Sequence, residues 1–203
     1  MRAQLTSALE KQQFRFAIAK ALTTTAKQVQ AEVQKNMRTR FQIRRDWVIK
    51  GIRIEAAKKA DLLAVVYSRD DFMGRQEYGT DKRPKRDKYL AIPLKAVRKS
   101  KSDIIRAVDL PNNLGKAQAT MFRGGKSKDI KGAGGTVFFM KISGKLYLCR
   151  RRKNKDVEKM YLLVPRAKIP KRLNLEQDAQ AITARNFGQN LKDALEYAMR
   201  TAR

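Results

Sequence analysis

The stretch FMGRQEYGTDKRPKRDKYLAIP, residues 72–93, decides how the rest of the chain is read. Phe72-Met73-Gly74-Arg75-Gln76-Glu77-Tyr78 has the makeup of a helix of one or two turns. Gly79 follows, where a left-handed residue ends such a helix and a side chain would clash. In the next segment Lys82, Arg83, Lys85, Arg86 and Lys88 outnumber Asp81 and Asp87, and Pro84 keeps that loop out of regular structure. Tyr89-Leu90-Ala91-Ile92-Pro93 then re-enters the core. A loop this charged, held between apolar anchors, is either a solvated surface or a segment that meets something negative.

Upstream, residues 5–40 read as one long helix, with Phe14, Ile18, Leu22, Val29 and Val33 near a 3.6-residue period. Ser7 and Glu10 have the spacing of a capping box, and Thr23-Thr24-Thr25 is a weak point for helix propensity. Trp47 is expected as a core anchor. Residues 52–56 and 62–67 then read as an antiparallel hairpin. Asp71 is placed to cap the short helix at 72–78, and Glu77 reads as a structural acid paired with Arg75 or a loop arginine.

Downstream, residues 103–108 have a helical makeup that Pro111 breaks, and Asn113 is a cap for a short helix reaching Phe122. Residues 123–135 hold five glycines and read as a loop; they lack the spacing of a phosphate-cradling motif. Thr136-Val137-Phe138-Phe139-Met140-Lys141-Ile142 turns at Ser143-Gly144 into Lys145-Leu146-Tyr147-Leu148-Cys149, a second hairpin. Met160-Tyr161-Leu162-Leu163-Val164 is a further strand stopped by Pro165, and Ile169-Pro170 leads out of the sheet. Residues 174–201 form a closing helix on Leu175, Ala179, Ile182, Phe187, Leu191, Leu195 and Ala198. The expectation is a single α+β domain over 1–203. An antiparallel sheet of about five strands is packed by long N- and C-terminal helices, with extended basic and glycine-rich loops at 80–90 and 123–135.

Composition narrows the function. The chain has 203 residues, 47 basic and 19 acidic, for a net charge of +28. Such an excess repels itself and favours a polyanion or an acidic protein face as partner. There is no histidine, which removes the commonest general base and metal ligand. Asp70, Asp71 and Glu77 are the carboxylates a metal-dependent nuclease would need, but the surrounding cations compete with a metal. The one cysteine, Cys149, reads as a core residue. No apolar run reaches the length of a membrane span, and the first residues lack the apolar core of a signal peptide. These features point to an intracellular non-enzyme without cofactor or metal.

Basic residues gather in three places: Arg38, Arg40, Arg44 and Arg45; Lys82, Arg83, Lys85, Arg86 and Lys88; Arg150, Arg151, Arg152, Lys153 and Lys155. If they converge, they form a phosphate-binding surface. No aromatic is interleaved among them, so DNA contact would be to backbone without sequence choice. The same charge equally suits acidic neighbours in an assembly.

The chain also resembles a known family. Residues 14–24, FQIRRDWVIKGIRIEAAKKADLLAVVY at 41–67, Gln76-Glu77-Tyr78-Gly79-Thr80 followed by Leu90-Ala91-Ile92-Pro93, and residues 187–202 are similar to the tail-completion (minor tail protein Z-like) proteins of long-tailed bacteriophages. The resemblance implies a structural virion protein of the neck, made in the host cytoplasm. It would form a six-fold ring around the DNA channel, between the head connector and the tail terminator. Its motif residues would be Glu77, Gly79 and Pro93, and genomic DNA would be touched through its backbone. The alternative is a free nucleic-acid-binding protein without sequence preference.

Overall fold

Every fourth residue along the middle of the first helix is buried, and that spacing sets how the chain closes. The computed structural model describes residues 2–85, 88–98, 103–111, 114, 130–132, 135–152, 154 and 156–201. In chain order its elements are α1 (Arg2–Arg40), α2 (Trp47–Lys50), β1 (Ile52–Glu55), β2 (Val65–Ser68), α3 (Phe72–Tyr78), β3 (Thr80–Lys82) and β4 (Leu90–Pro93). Then follow β5 (Ile130–Gly132), β6 (Gly135–Ile142), β7 (Lys145–Arg151), β8 (Val157–Val164), β9 (Ala167–Ile169) and α4 (Leu175–Thr201), with short 3-10 turns at Lys95–Val97 and Ala107–Asp109. The fold class is α+β. The sequence reading drew one domain over 1–203; contacts gather into two compact units, residues 1–79 with 170–203, and residues 80–169.

In the first unit, α1 buries Ala17, Ala21, Thr25, Val29, Val33 and Met37, a single i, i+4 ridge of the kind that packs into a groove on a facing helix. Ala17 and Ala21 meet Ala194 and Ala198 of α4, where small side chains allow close approach. At the other end Val29, Val33 and Met37 join Ile182, Leu173, Ile49, Ile52 and Met73. The two helices therefore run antiparallel. Between these apolar ends lies a polar ladder. Asn190 Nδ2 donates to Thr25 Oγ1 (2.9 Å) and Gln28 Oε1 (2.8 Å), and Asn186 Nδ2 donates to Gln28 Oε1 (3.1 Å). A sliding of one helix along the other would leave these groups unpaired, so the ladder fixes their register. The hairpin β1–β2 pairs Ile52 with Ser68 through Glu55 with Val65.

Several expectations are corrected here. α1 begins upstream of Ser7, so Ser7 does not cap it; Ala3, Gln4 and Leu5 are good helix formers and nothing there stops the helix. The helix also runs through Thr23-Thr24-Thr25, where Thr25 Oγ1 donates back to the Ala21 carbonyl (2.9 Å) and Thr23 Oγ1 accepts from the Ala57 N–H (3.1 Å). Phe14, expected inside, is 54% exposed. Trp47 is no core anchor: it is 45% exposed and packs edge-on against Phe72 at 6.1 Å.

The second unit holds the five-stranded antiparallel sheet, in the order β4-β8-β7-β6-β5. Its membership differs from the expectation, because β1 and β2 form their own ladder and bury Ile52 in the first unit. β4 and β5 take their places at the two edges. β5 uses part of the glycine-rich segment: Ile130 pairs with Val137 and Gly132 with Gly135. The β6–β7 turn uses Ser143 (φ 47°) and Gly144 (φ 77°), two positive-φ residues that match the twist of a tight hairpin. Leu148, Met160, Tyr161, Leu163, Val137, Val97 and Leu114 form this unit's core. Cys149 is fully buried, and that burial pushes its thiol pKa up. Residues 103–106 are not helical, and only Ala107–Asp109 makes a 3-10 turn before Pro111. The helix expected after Asn113 lies outside the described residues. Thr80 pairs with Ile169 in a separate β3–β9 ladder, so neither the start of the 80–90 loop nor the exit at 169 is irregular.

Candidate functional site

The three basic groups meet different fates. In the first, Arg38 lies 3.6 Å from Asp46 with both side chains mostly exposed, a pair of small energetic value. Arg44 donates to Gln42 Oε1 (3.3 Å), and Arg45 is exposed beside it. Arg40 is turned inward. Its Nη1 donates to Asp178 Oδ2 and to the Leu173 carbonyl, both at 2.6 Å, and its Nη2 donates to Asp178 Oδ1 at 2.9 Å. This bidentate fork ties the end of α1 to the first turn of α4. The hydrogen bond to Asp178 raises the Arg40 pKa above its ordinary value against the opposing effect of burial.

In the second group Lys82, Arg83, Lys85 and Lys88 are all exposed. Lys88 Nζ lies 5.8 Å from the Tyr89 ring centroid. Lys82, Arg83 and Lys85 form no ion pair with a described residue. Arg86 lies outside the described residues, as do Lys153 and Lys155 of the third group.

In that third group Arg150 is drawn into the core of its unit, 5% exposed, where Leu148, Cys149 and Arg150 are all buried at a shift in the β7–β8 register. It bridges Asp109 (2.9 Å) and Glu158 (3.1 Å), and Arg106 completes the charge on Asp109 at 2.7 Å. Tyr161 donates its hydroxyl to the Asp109 carbonyl at 2.5 Å. Burial first, and the Asp109 charge second, push the Tyr161 pKa up to about 12. Arg152 pairs with Glu158 at 2.9 Å, and the Arg151 guanidinium sits 5.1 Å over the Phe138 ring at the surface. Arg40 and Arg150, expected to face a partner, thus serve the interior: each found a carboxylate far away in sequence. The outward-facing basic set is Arg38, Arg44, Arg45, Lys82, Arg83, Lys85, Lys88, Arg151 and Arg152.

The motif residues are framework. Glu77 is buried and, among the described residues, pairs with neither Arg75 nor the loop arginine Arg83. Its Oε2 accepts the Leu175 N–H (2.8 Å) and its Oε1 the Glu176 N–H (3.3 Å), so it caps α4 from a distance of 98 residues in sequence. The Gln76 carbonyl, at the C-terminal end of α3, accepts from Arg172 (2.8 Å) and Leu173 (3.0 Å). Gly79 has φ 71° and ψ 157°, a conformation essentially restricted to glycine. Pro93 ends β4 opposite Tyr161, on an edge strand where its missing N–H is tolerated. Asp71 makes no side-chain cap to α3; the first turn is held instead by Met73 N–H donating to the Asp70 carbonyl at 2.9 Å.

Asp70, Asp71 and Glu77 do line one cleft, but among the described residues no group of three or more carboxylates, cysteines or histidines is arranged to hold a metal ion. No described helix is long and apolar enough to cross a membrane. Comparison of the chain with protein-family models, with curated proteins and with solved structures finds no match.

The polar ladder and the acids Asp109, Glu158 and Asp178 are functional in holding the frame, and sequence reasoning missed them as partners. One signal was available: Asn186 and Asn190 stand four apart on an otherwise apolar helix face, as Thr25 does on α1.

Proposed function

We propose that the chain is a non-enzymatic structural virion protein of the tail-completion type, a homo-oligomeric neck-ring component joining a head connector to a tail terminator around the DNA channel. The observation that carries this reading is the role of its motif. Glu77-Tyr78-Gly79 caps α4 and ends α3, so the residues behind the family resemblance hold the frame of the first unit, a role that suits a structural protein. The exposed basic residues supply the second support. Their exposure suits contact with DNA phosphates or acidic ring faces, and either contact would relieve a self-repelling chain of +28.

Cryo-electron microscopy of the particle that contains the chain tests the proposal. A ring of copies at the head–tail joint, with exposed basic residues lining the channel or meeting an adjacent subunit, is the expected result. Absence of the chain from particles, together with tight, salt-sensitive binding of RNA or duplex DNA by the monomer, would overturn it in favour of a free nucleic-acid binder.

A further inference from the structure

One surface of the first unit is apolar and acidic in a basic chain. An open cleft of about 320 Å³ lies between β2, α3 and the start of α4. Val66, Met73, Leu173 and Leu175 give it an apolar floor, and Tyr67 and Tyr78 stand at its walls, 39% and 77% exposed. Asp70, Asp71 and Glu176 also line it. In a chain where bases outnumber acids 47 to 19, none of these three carboxylates has an ion pair with a described residue.

We infer that this cleft receives the basic segment around Lys82, Arg83 and Lys85 of a second copy of the chain. An apolar floor suits the aliphatic stems of lysine and arginine, tyrosine faces suit their cations, and carboxylates complete the match. The same carboxylates repel nucleic acid and acidic proteins. The guest must bring unpaired cations, and Lys82, Arg83 and Lys85 are exposed cations with no ion pair to a described residue. Cleft and segment are different surfaces, so the contact is head-to-tail, the kind that closes into rings or runs on as filaments. Net repulsion between copies is long-ranged and is screened beyond about 8 Å at 0.15 M salt, whereas contact pairs inside the cleft are screened less. The inference rests on the oligomeric part of the proposed function and specifies its joint.

The test uses the full chain alone, so it can fail while the neck reading stands, and the neck reading can fail on the particle while this contact stands. Unlabelled and nitrogen-15-labelled chains are mixed at 0.15 M salt and treated with a carbodiimide that joins carboxylates to lysines without a spacer. Mixed-isotope peptides linking Asp71 or Glu176 to Lys82 or Lys85 are expected. Both reversals delete groups the carbodiimide joins, so they are read by sedimentation: Asp71→Lys combined with Glu176→Gln should weaken self-association about tenfold, as should Lys82→Glu with Lys85→Asp. Mixing the cleft-reversed chain with the segment-reversed chain should restore association, and a urea midpoint checks that each variant is folded. Links confined to single-isotope peptides, links elsewhere only, or a self-association constant unmoved by both reversals would overturn the inference. So would binding of a foreign lysine-rich peptide in the cleft with no link between copies.

Discussion

Replacing Glu77 by alanine removes the acceptor for two N–H groups in the first turn of α4, which have no partner within their own helix. Loss of a helix cap costs about 0.5–2 kcal/mol. A carboxylate near a helix N-terminus adds up to about 2 kcal/mol when partly buried. Glu77 is 7% exposed, so the upper part of both ranges applies, and Glu77→Ala should destabilise the first unit by about 3 kcal/mol. Glu77→Gln keeps one acceptor and loses the charge, for a cost of about 1–1.5 kcal/mol. Arg75→Ala, which removes an exposed side chain with no hydrogen bond or ion pair to a described residue, should stay within about 0.5 kcal/mol. Urea unfolding followed by the fluorescence of Trp47 reads this unit directly, since Trp47 is the chain's single tryptophan and packs on Phe72 of α3. Equal losses for the alanine and glutamine variants, joined to a measurable cost at Arg75, would refute the distant cap and restore a local ion pair.

Three further outcomes are expected. Asp178→Ala strips Arg40 of its fork while leaving the guanidinium half-buried against the Leu173 carbonyl, and should cost about 2–3 kcal/mol, again read by Trp47 fluorescence in urea. Gly79→Ala forces a side chain into a conformation that only glycine adopts readily and should cost about 1–3 kcal/mol by the same assay. Tyr161 has its pKa raised from 10.0 to about 12, so its contribution to stability is full below pH 10 and is lost as pH rises through 12. A phenolate absorbance titration should show one of the six tyrosines lagging behind the others, and Tyr161→Phe should remove that late step.

Much of the frame was legible because it is local. The β6–β7 hairpin announces itself through two apolar runs about Ser143-Gly144, and α3 through its Gly79 stop. α4 could be read from its large apolar side chains. α1 could not be read the same way. Phe14, Ile18 and Leu22 suggested one face, but close packing on α4 selects small residues and buries Ala17, Ala21 and Thr25 instead. The basic groups show the limit most sharply. Arg150 and Arg151 are indistinguishable in sequence, yet one is locked between Asp109 and Glu158 and the other lies on the surface. The partners of Arg40, Glu77 and Arg150 stand 138, 98 and 41 residues away, and no local pattern encodes a pairing at that range.

The ladder between β3 and β9 has a consequence for the order of synthesis. Thr80 and Ile169 are the first and last residues of the second unit and are also direct partners. That unit is therefore a closed excursion of the chain whose two ends meet, and all of its residues are made before α4. The first unit is completed only with α4, which covers Ala17 and Ala21 and brings the Leu175 N–H that Glu77 accepts. During translation the Ala17–Ala21 end of the α1 ridge is therefore the last to be covered, since Val29, Val33 and Met37 also pack on Ile49, Ile52 and Met73, which are made earlier.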